Sequence, residues 1–325
     1  MTISLKKKNS IIVGGSGQFG ISLTNQLIKK KYNVVITTRN LKKTKKKFNK
    51  YNKNIKIVKL DILKKKDIEN LVKKYKPFFI FYFAGLSSPN LSFKKPRETH
   101  LSNFVGCLNF LKIIKSGNLN CKFINANSCE IFAKSNKKIN INSKKRPISP
   151  YGKSKLQSFN ATKKFRQKHS LKTYNAVIFN TESVYREKNY LIPKICLSAI
   201  QAYKFKKKTS FGNINVEREW NWCDEQVKYI LKFIKKKPQD FLLSNQKIFT
   251  AHQMLSFAFG YFKLNYKDYI LHNEKYIRPD DFKTKKSNSL SVFKKNNISH
   301  DYKIYGKKMI YKLIKFYLNE RKHKF

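Results

Sequence analysis

The chain of 325 residues has few acidic residues and few arginines. It contains 18 Asp and Glu against 72 Lys and Arg, a formal net charge of +54, and only eight of the 72 basic residues are Arg. A phosphate-reading surface usually favours Arg because the guanidinium binds two oxygens at once. The abundance of Lys, Asn and Ile is instead typical of an A/T-rich genome, so we expect no dedicated nucleic-acid function. An anionic substrate would still be attracted, most strongly at low salt.

The sequence also lacks a long hydrophobic run, paired cysteines and a metal-ligand motif. Its longest apolar run, Phe78–Leu86, is too short to cross a bilayer, and we expect no membrane partner. The apolar stretch that follows Lys6–Lys8 is only a few residues long and runs straight into a glycine-rich loop, which argues against a secretory signal. The five cysteines (107, 121, 129, 196 and 223) form no CxxC motif. We therefore predict no structural metal and a cytoplasmic localisation.

A hydrophobic content of 41% is enough for a packed core, and the first half alternates strand-like with helix-like segments. Strand, helix, strand at this spacing is typical of a parallel sheet covered on both sides. The predicted strands are Ser10–Gly14, Asn33–Thr37, Ile55–Leu60, Phe78–Phe83, Lys122–Asn127 and Tyr174–Asn180. The predicted helices are Gln18–Lys31, Lys64–Tyr75, Glu98–Lys115 and Tyr151–His169.

These patterns predict an α/β protein, with a Rossmann-like doubly wound parallel sheet and a smaller α-rich C-terminal substrate domain. We expect residues 1–180 to form the dinucleotide-binding domain and residues 181–325 to form mainly the substrate domain. A further strand near Lys247–Thr250 is expected to return to the sheet. Ligands of open α/β sheets bind beyond the carboxyl ends of the strands, so the site is expected there.

Glycine is scarce, with 11 residues in the chain, yet positions 14, 15, 17 and 20 are all glycine. They lie between a β-branched strand and a helix. Glycine allows the backbone to approach a pyrophosphate closely, and the helix N-terminus then offers N–H groups and a positive dipole end. The segment Gly14–Gly20 is therefore predicted to bind a dinucleotide; a purely structural turn is the alternative.

The end of the second predicted strand indicates which dinucleotide binds. An NAD-selective site would place Asp or Glu there, whereas this chain has Arg39, which could bind a 2′-phosphate. We therefore expect NADP rather than NAD. Asp61 follows the third strand and could accept a hydrogen bond from the adenine amino group, or it could be the N-cap of the next helix.

Tyr151 and Lys155 begin a predicted helix with i, i+4 spacing, which places both side chains on one side of it. A nearby cation favours the phenolate form of a tyrosine, which can then accept a proton. Ser128, just past the fifth strand, could hydrogen-bond the same substrate oxygen. With a nicotinamide, these three residues indicate reversible oxidation of an alcohol to a ketone.

Glu130 lies two residues beyond Ser128. Once an alcohol is oxidised, the neighbouring C–H becomes acidic, and a carboxylate can remove that proton and help expel a β-hydroxyl as water. A simple dehydrogenase or epimerase does not need such a group. The alternative interpretation of Glu130 is an exposed loop residue.

Taken together, these motifs resemble the extended short-chain dehydrogenase/reductases, and within them the GDP-mannose 4,6-dehydratase family, over nearly the whole chain. Ser128-Cys129-Glu130 stands where that family has Thr-Ser-Glu, and Phe83–Ser87 is similar to its cofactor-side loop. Further matches are Asn180–Ser183, Lys194-Ile195, Gly212-Asn213, Arg218–Trp220 and Tyr276–Pro279.

The resemblance implies that Tyr151 and Lys155 act with tightly bound, recycled NADP at sugar C4, while Glu130 acts at C5 and C6. The expected product is a 4-keto-6-deoxy sugar nucleotide formed from GDP-mannose. The catalytic residues implied are Ser128, Glu130, Tyr151 and Lys155. The cofactor-binding residues implied are Gly14, Ser16, Gly17, Gln18, Phe19, Gly20, Arg39, Asp61, Ile62, Phe83, Ala84, Gly85, Ser87, Tyr151, Lys155, Thr181 and Arg186. The substrate-binding residues implied are Ser87, Asn180, Lys194, Arg218 and Arg278.

Other interpretations remain open at this point. Thr181 replaces the family's His and Trp222 replaces another His, so the base and sugar of the substrate are left open. A sugar-nucleotide epimerase or 4-ketoreductase would need Tyr151 and Lys155 but not Glu130. A dehydratase acting on a CDP- or dTDP-hexose differs only in the base pocket, and a Lys-rich binding module would lack catalysis. The resemblance further implies a homodimer or homotetramer.

Overall fold

A computed structural model describes residues 8–48, 54–133, 137–273 and 286–322. The chain divides into two compact units, each described by itself below. Unit 1 comprises the described residues within Met1–Ala133, Ile141–Ile178 and Val227–Leu243; unit 2 comprises those within Lys134–Asn140, Phe179–Gln226 and Ser244–Phe325.

The strands are short and are given in chain order. They are β1 (Asn9–Val13), β2 (Asn33–Thr38), β3 (Ile55–Lys59), β4 (Phe79–Tyr82), β5 (Lys122–Ser128), β6 (Thr173–Ile178), β7 (Thr181–Glu182), β8 (Thr209–Phe211), β9 (Glu217–Arg218), β10 (Asn221–Trp222), β11 (Asp240–Leu243), β12 (Phe249–Thr250) and β13 (Ile270–His272).

The helices alternate with the strands in the first half of the chain and become more frequent after it. They are α1 (Gln18–Lys29), α2 (Leu41–Lys47), α3 (Lys65–Tyr75), α4 (Pro89–Lys94), α5 (Pro96–His100), α6 (Gly106–Ser116), α7 (Pro150–His169), α8 (Leu191–Phe205), α9 (Cys223–Phe233), α10 (Ala251–Gly260), α11 (Ser289–Lys295) and α12 (Gly306–Lys322).

Unit 1 contains a seven-stranded sheet in the order β11-β6-β5-β4-β1-β2-β3, and each neighbouring pair is parallel. Alternate residues of its central strands point to opposite sides, so Ile11 and Ile80 lie on one side, Ile12 and Phe81 on the other, and all four are fully buried. Helices α3 and α6 pack on the first side. The predicted Rossmann-like doubly wound α/β fold is confirmed.

One predicted strand lies at the wrong position, and one predicted helix is interrupted. The strand that returns to the sheet is β11 at Asp240–Leu243, which pairs with β6, rather than one near Lys247–Thr250. Residues 249–250 form β12 instead, which pairs antiparallel with β9. The four residues of β11 are too few to show a strand period, which is why its position was missed. The predicted helix Glu98–Lys115 is divided by a π-helical turn at Leu101–Val105.

Unit 2 is built on three helices, α8, α10 and α12, whose apolar sides pack together. Ile195, Met254 and Leu313 are fully buried in this core. Three two-stranded pairs accompany it: β7 with β10 and β8 with β13 are parallel, and β9 with β12 is antiparallel. None of the helices described is long and apolar enough to span a membrane.

Candidate active site

The glycine-rich loop between β1 and α1 leaves no room for a side chain at Gly14, Gly15 or Gly20. Gly14 adopts a φ of 80°, and a Cβ there would lie 2.6 Å from the backbone N and Cα of Ala84. Gly17 is the N-cap of α1 and has no side chain, so it cannot cap the backbone N–H groups of the first turn. This cradle fits a pyrophosphate. Arg39 is exposed directly after β2, which pairs with β1.

The predicted adenine-side residues Asp61 and Ile62 follow β3. The Asp61 carboxylate accepts a hydrogen bond from the Leu63 amide at 3.0 Å, and the carbonyl of Ile62 accepts one from the Asn109 side chain at 3.1 Å. Helix α3 has Lys64 as its N-cap, so the alternative that Asp61 caps this helix is wrong. Asp61 instead shapes the turn before it.

The loop after β4 carries the predicted cofactor-binding residues 83, 84, 85 and 87. Its shape is set by a residue that the sequence did not predict. Asn103, in the π-helical turn, is buried and donates from its side chain to the Leu86 carbonyl at 3.1 Å. Its Oδ1 lies where a Cβ of Gly85 would be, and Gly85 has a φ of 131°. The ring centroids of Phe19 and Phe83 are 5.6 Å apart, which joins the loop to α1.

No sequence signal pointed to Asn103, because the helical period predicted a regular helix through it. The π-helical turn changes which side chains point at the loop, and such turns are frequent at functional sites. The buried Oδ1 of Asn103 has no hydrogen-bond partner within the described residues.

The predicted catalytic residues Ser128, Tyr151 and Lys155 are buried in unit 1, where strand β5 and helix α7 carry them. Ser128 ends β5, and its hydroxyl accepts a hydrogen bond from the Glu130 amide at 3.2 Å. Helix α7 begins at Pro150, and the Tyr151 amide donates to the Ser92 hydroxyl of α4 at 3.1 Å. This hydrogen bond between α7 and α4 holds the start of α7 in place.

Gly152 brings the Glu130 turn against the start of α7. A Cβ at Gly152 would lie 2.6 Å from the Glu130 carbonyl oxygen and 2.8 Å from Cβ of Pro147. The backbone of Glu130 therefore packs directly on the residue that follows Tyr151. This close packing places the backbone of Glu130 beside the helix start that carries Tyr151.

Lys155 follows Tyr151 by about one helical turn and is buried. Its ammonium donates to the carbonyl of Ala126 in β5 at 2.9 Å. Burial lowers the pKa of Lys155 to about 8, and the nearby Cys107 thiol acts in the opposite direction. The charge of Lys155 is therefore held in a low-dielectric setting, where it acts strongly on neighbouring groups.

A network of buried side-chain amides holds β5, the strand that ends at Ser128, in place. The Asn175 side-chain oxygen accepts from Asn125 at 3.2 Å and from Asn127 at 3.1 Å, and its amide donates to Asp240 at 2.9 Å and to the Phe159 carbonyl of α7 at 3.1 Å. Sequence reasoning missed this network as well. Its only signal was an Asn in the middle of an otherwise apolar β6 pattern.

In unit 2, the predicted substrate-binding residue Asn180 and the predicted cofactor-binding residue Thr181 follow β6. Both are held by local contacts. The carbonyl of Asn180 accepts from the Asn221 backbone at 2.9 Å and from its side chain at 3.0 Å. Thr181 is buried, and its hydroxyl lies 2.6 Å from the Gln226 side chain and 2.8 Å from the Phe179 carbonyl. These contacts orient the segment that follows the sheet.

Arg186 stacks on an aromatic ring beside a buried carboxyl group. The centre of its guanidinium lies 3.5 Å from the ring centroid of Tyr190. Glu182 is buried, and burial raises the pKa of its carboxyl group to about 7, although the Arg186 charge acts in the opposite direction. The stacking restricts the orientation of the Arg186 guanidinium.

The predicted phosphate-binding residues Lys194 and Arg218 are also held in place. The Lys194 ammonium donates to the Ser210 carbonyl at 2.6 Å and lies 4.5 Å from the ring centroid of Phe211, and burial lowers its pKa. Arg218 donates to the Glu217 carbonyl at 2.7 Å. Arg278 lies outside the described residues.

The described residues contain no group of three His, Cys, Asp or Glu side chains that could hold a metal ion. The fold and the site instead define an NAD(P)-dependent enzyme of the extended short-chain dehydrogenase/reductase class. A UDP-N-acetylglucosamine 4-epimerase of Methanobrevibacter ruminantium is similar over 97% of this chain and 100% of that one, with a TM-score of 0.84 and 19% identity. A dTDP-glucose 4,6-dehydratase of Bacillus anthracis matches over 97% and 98%, with a TM-score of 0.80 and 15% identity.

Sequence comparison narrows this class. The profile of the GDP-mannose 4,6 dehydratase family matches residues 11–302, so the chain belongs to that family. GDP-mannose 4,6 dehydratase 1 of Arabidopsis thaliana is 27% identical over 291 residues, which cover 85% of this chain and 80% of the relative. The Dictyostelium discoideum relative is 25% identical over 315 residues, covering 86% and 87%. The protein is thus a sugar-nucleotide 4,6-dehydratase, a hydro-lyase.

Proposed function

We propose that the protein converts GDP-mannose to GDP-4-keto-6-deoxymannose, with tightly bound NADP as a recycled cofactor. The relatives named above are GDP-mannose 4,6 dehydratases, which supports this choice of base and sugar. Arg39 after β2, at the position where an NAD-selective site would have a carboxylate, supports NADP.

Unit 1 holds the residues that would bind the dinucleotide. The N-terminus of α1 receives the pyrophosphate, and the loop after β4 borders the path toward Tyr151 and Lys155. When bound, NADP would accept the hydride from sugar C4 and return it to C6 after water is lost, so that the cofactor is restored by the end of each turnover.

Tyr151 accepts the proton of the sugar C4 hydroxyl, so that C4 becomes a ketone. Ser128 hydrogen-bonds the same oxygen and stabilises the charge that develops on it. The Lys155 ammonium favours the phenolate of Tyr151.

Glu130 then removes the proton from C5, which the C4 ketone has made acidic. The C6 hydroxyl leaves as water when it receives a proton. The proposed donor of this proton is Glu130. The observation that carries this proposal is the packing at Gly152, which sets the Glu130 backbone directly on the helix start that carries Tyr151.

In unit 2, the proposed ligands of the nucleotide diphosphate are Asn180, Lys194 and Arg218, together with Arg278. Two of the four are arginines in a chain that has only eight. Their planar donors match phosphate oxygens in pairs, so this use of a scarce residue supports a diphosphate ligand.

The direct test incubates GDP-mannose with the purified protein and catalytic NADP and follows the mixture by mass spectrometry. Loss of one water from the sugar nucleotide without net NADPH formation is the expected result. Unchanged GDP-mannose, with conversion of a CDP- or dTDP-hexose, would reject the proposed substrate and keep the reaction type.

The Glu130→Gln variant separates dehydration from epimerisation or ketoreduction. Gln keeps the size and the backbone packing but cannot take up the C5 proton. We expect the variant to bind NADP and GDP-mannose as the wild type does and to lose at least about 99% of the dehydration rate, since general acid–base groups contribute about 10²–10⁴-fold. Full activity in the variant would favour the epimerase interpretation.

We further propose a cytoplasmic homodimer or homotetramer. Light scattering of the purified protein tests the assembly, and a monomer at micromolar concentration would contradict it.

A further inference from the structure

The first 60 residues contain no acidic residue, and Asp61 is the first in the chain. This segment includes β1, the glycine-rich loop, β2 and α2, where the adenosine half of a dinucleotide binds in folds of this kind. No carboxylate of this segment can accept hydrogen bonds from the ribose hydroxyls of NAD.

Within this segment, Lys47 reaches back from the last turn of α2 to the glycine-rich loop. Its ammonium donates to the carbonyl oxygen of Ser16 at 2.8 Å. Ser16 lies between Gly15 and Gly17, at the centre of the proposed pyrophosphate cradle. The side chain of Lys47 is otherwise exposed, so a ligand can reach it.

The position of Lys47 follows from how α2 is attached to β2. Asn40 caps the helix by accepting from the Lys43 amide at 2.9 Å. The Thr44 hydroxyl donates to the Thr38 hydroxyl at 2.8 Å, which ties the middle of α2 to the end of β2. A seven-residue helix held at both points keeps its last lysine within reach of the loop.

Lys47 contacts the glycine-rich loop, and Arg39 follows the strand that pairs beside it. Strands β1 and β2 pair in parallel with Val13 opposite Thr37, so the glycine-rich loop and Arg39 leave the sheet side by side. The adenosine ribose of a bound dinucleotide lies between these two chain segments. We propose that Lys47 is a second cationic ligand of the NADP 2′-phosphate, alongside Arg39, and a determinant of the preference for NADP over NAD.

The charge of Lys47 favours NADP over NAD. A phosphate monoester carries roughly −1.5 to −2 charges near pH 7. NAD has a neutral hydroxyl in its place, so an ammonium there adds affinity for NADP and almost none for NAD. An ammonium has three donors, so the contact with Ser16 is compatible with a phosphate contact.

The test measures the dissociation constants of NADP and NAD by isothermal titration calorimetry on the full chain freed of bound nucleotide. Three proteins are compared: wild type, Lys47→Met and the control Lys46→Met, which removes an exposed lysine from the same helix. We expect Lys47→Met to weaken NADP binding roughly tenfold, as a lost charge-assisted hydrogen bond does, and to leave NAD binding unchanged. Lys46→Met should change neither constant.

The inference rests on the proposed function, since it takes NADP as the cofactor, and the outcomes separate the two. A wild type that does not prefer NADP over NAD would reject the NADP assignment and Lys47 with it. A wild type that prefers NADP, with the same preference in Lys47→Met, would reject the role of Lys47 alone. A loss shared equally by Lys46→Met would also reject it, because the effect would then be general charge.

Discussion

At the scale of single residues, the proposed site depends on a glycine, because its position has no room for a side chain. Gly152 lies one residue after Tyr151, and its lack of a Cβ lets the Glu130 carbonyl pack against α7. Ala is the better helix former by about 1 kcal/mol, so a glycine in the first turn is retained against helix propensity.

We therefore predict that Gly152→Ala lowers kcat roughly tenfold or more while the protein remains folded. The new methyl group must displace the Glu130 turn, and small displacements of catalytic groups cost large factors in rate. The control is Gly260→Ala at the end of α10, where a Cβ would have nothing within 4 Å. Steady-state rates of the two variants are compared, and equal rates would contradict the role assigned to the packing.

Lys155 gives a prediction about pH. Its pKa is lowered by burial to about 8, so its charge is present below that pH and is lost as the pH rises through it. If the ammonium supports Tyr151, kcat/KM should fall above about pH 8. Lys155→Arg keeps a positive charge throughout this range, so its lower activity should lack the alkaline decline. The same decline in Lys155→Arg would assign it to another group.

At the scale of elements, a strand and a helix carry the proposed catalytic residues Ser128, Tyr151 and Lys155, and a buried network joins the two elements. Asn175 connects β5, β11 and α7 through four hydrogen bonds, and Arg166 of α7 forms an ion pair with Asp240 at 2.7 Å. Such a network is stabilising only while every member has its partners.

We predict that Asn175→Leu lowers the free energy of unfolding by about 2–4 kcal/mol. The substitution keeps the branched shape of the side chain but removes the hydrogen bond of the Asn127 amide and one of the partners of the Asn125 amide and of the Asp240 carboxylate. Urea unfolding measures the change. The control is Asn160→Leu, at an exposed position of α7, which should change stability by less than about 0.5 kcal/mol.

The elements also show where sequence reasoning was accurate. Strands β1 to β6 lie at their predicted positions within about two residues, because β-branched and aromatic runs bounded by turns leave little choice. The π-helical turn in the predicted helix 98–115 and the short strand β11 were missed. Both depend on contacts with distant parts of the chain, which local periodicity does not contain.

At the scale of the whole molecule, the net charge of +54 is the dominant property. The potential of such a surface attracts anionic ligands over roughly one Debye length, about 10 Å at 0.1 M salt. Both proposed ligands, a dinucleotide and a sugar nucleotide, are anions.

We predict that the KM for GDP-mannose rises several-fold, on the order of threefold to tenfold, between 50 mM and 500 mM NaCl, while kcat changes little. Salt screens the approach of the substrate but not the chemistry in a buried site. Initial rates at several substrate concentrations measure both constants. A KM that does not depend on salt would show that the charge does not contribute to capture.

The sequence alone determined the fold class, the glycine-rich loop and the candidate catalytic set. These depend on local signals, namely the strand and helix periods and a few residues at short, fixed spacing. Only the tertiary structure decided that Asn103 shapes the cofactor loop, that Asn175 ties β5 to α7, and that Lys47 reaches Ser16. Each of these contacts joins residues at least 16 positions apart, and their meeting depends on the packing of whole elements.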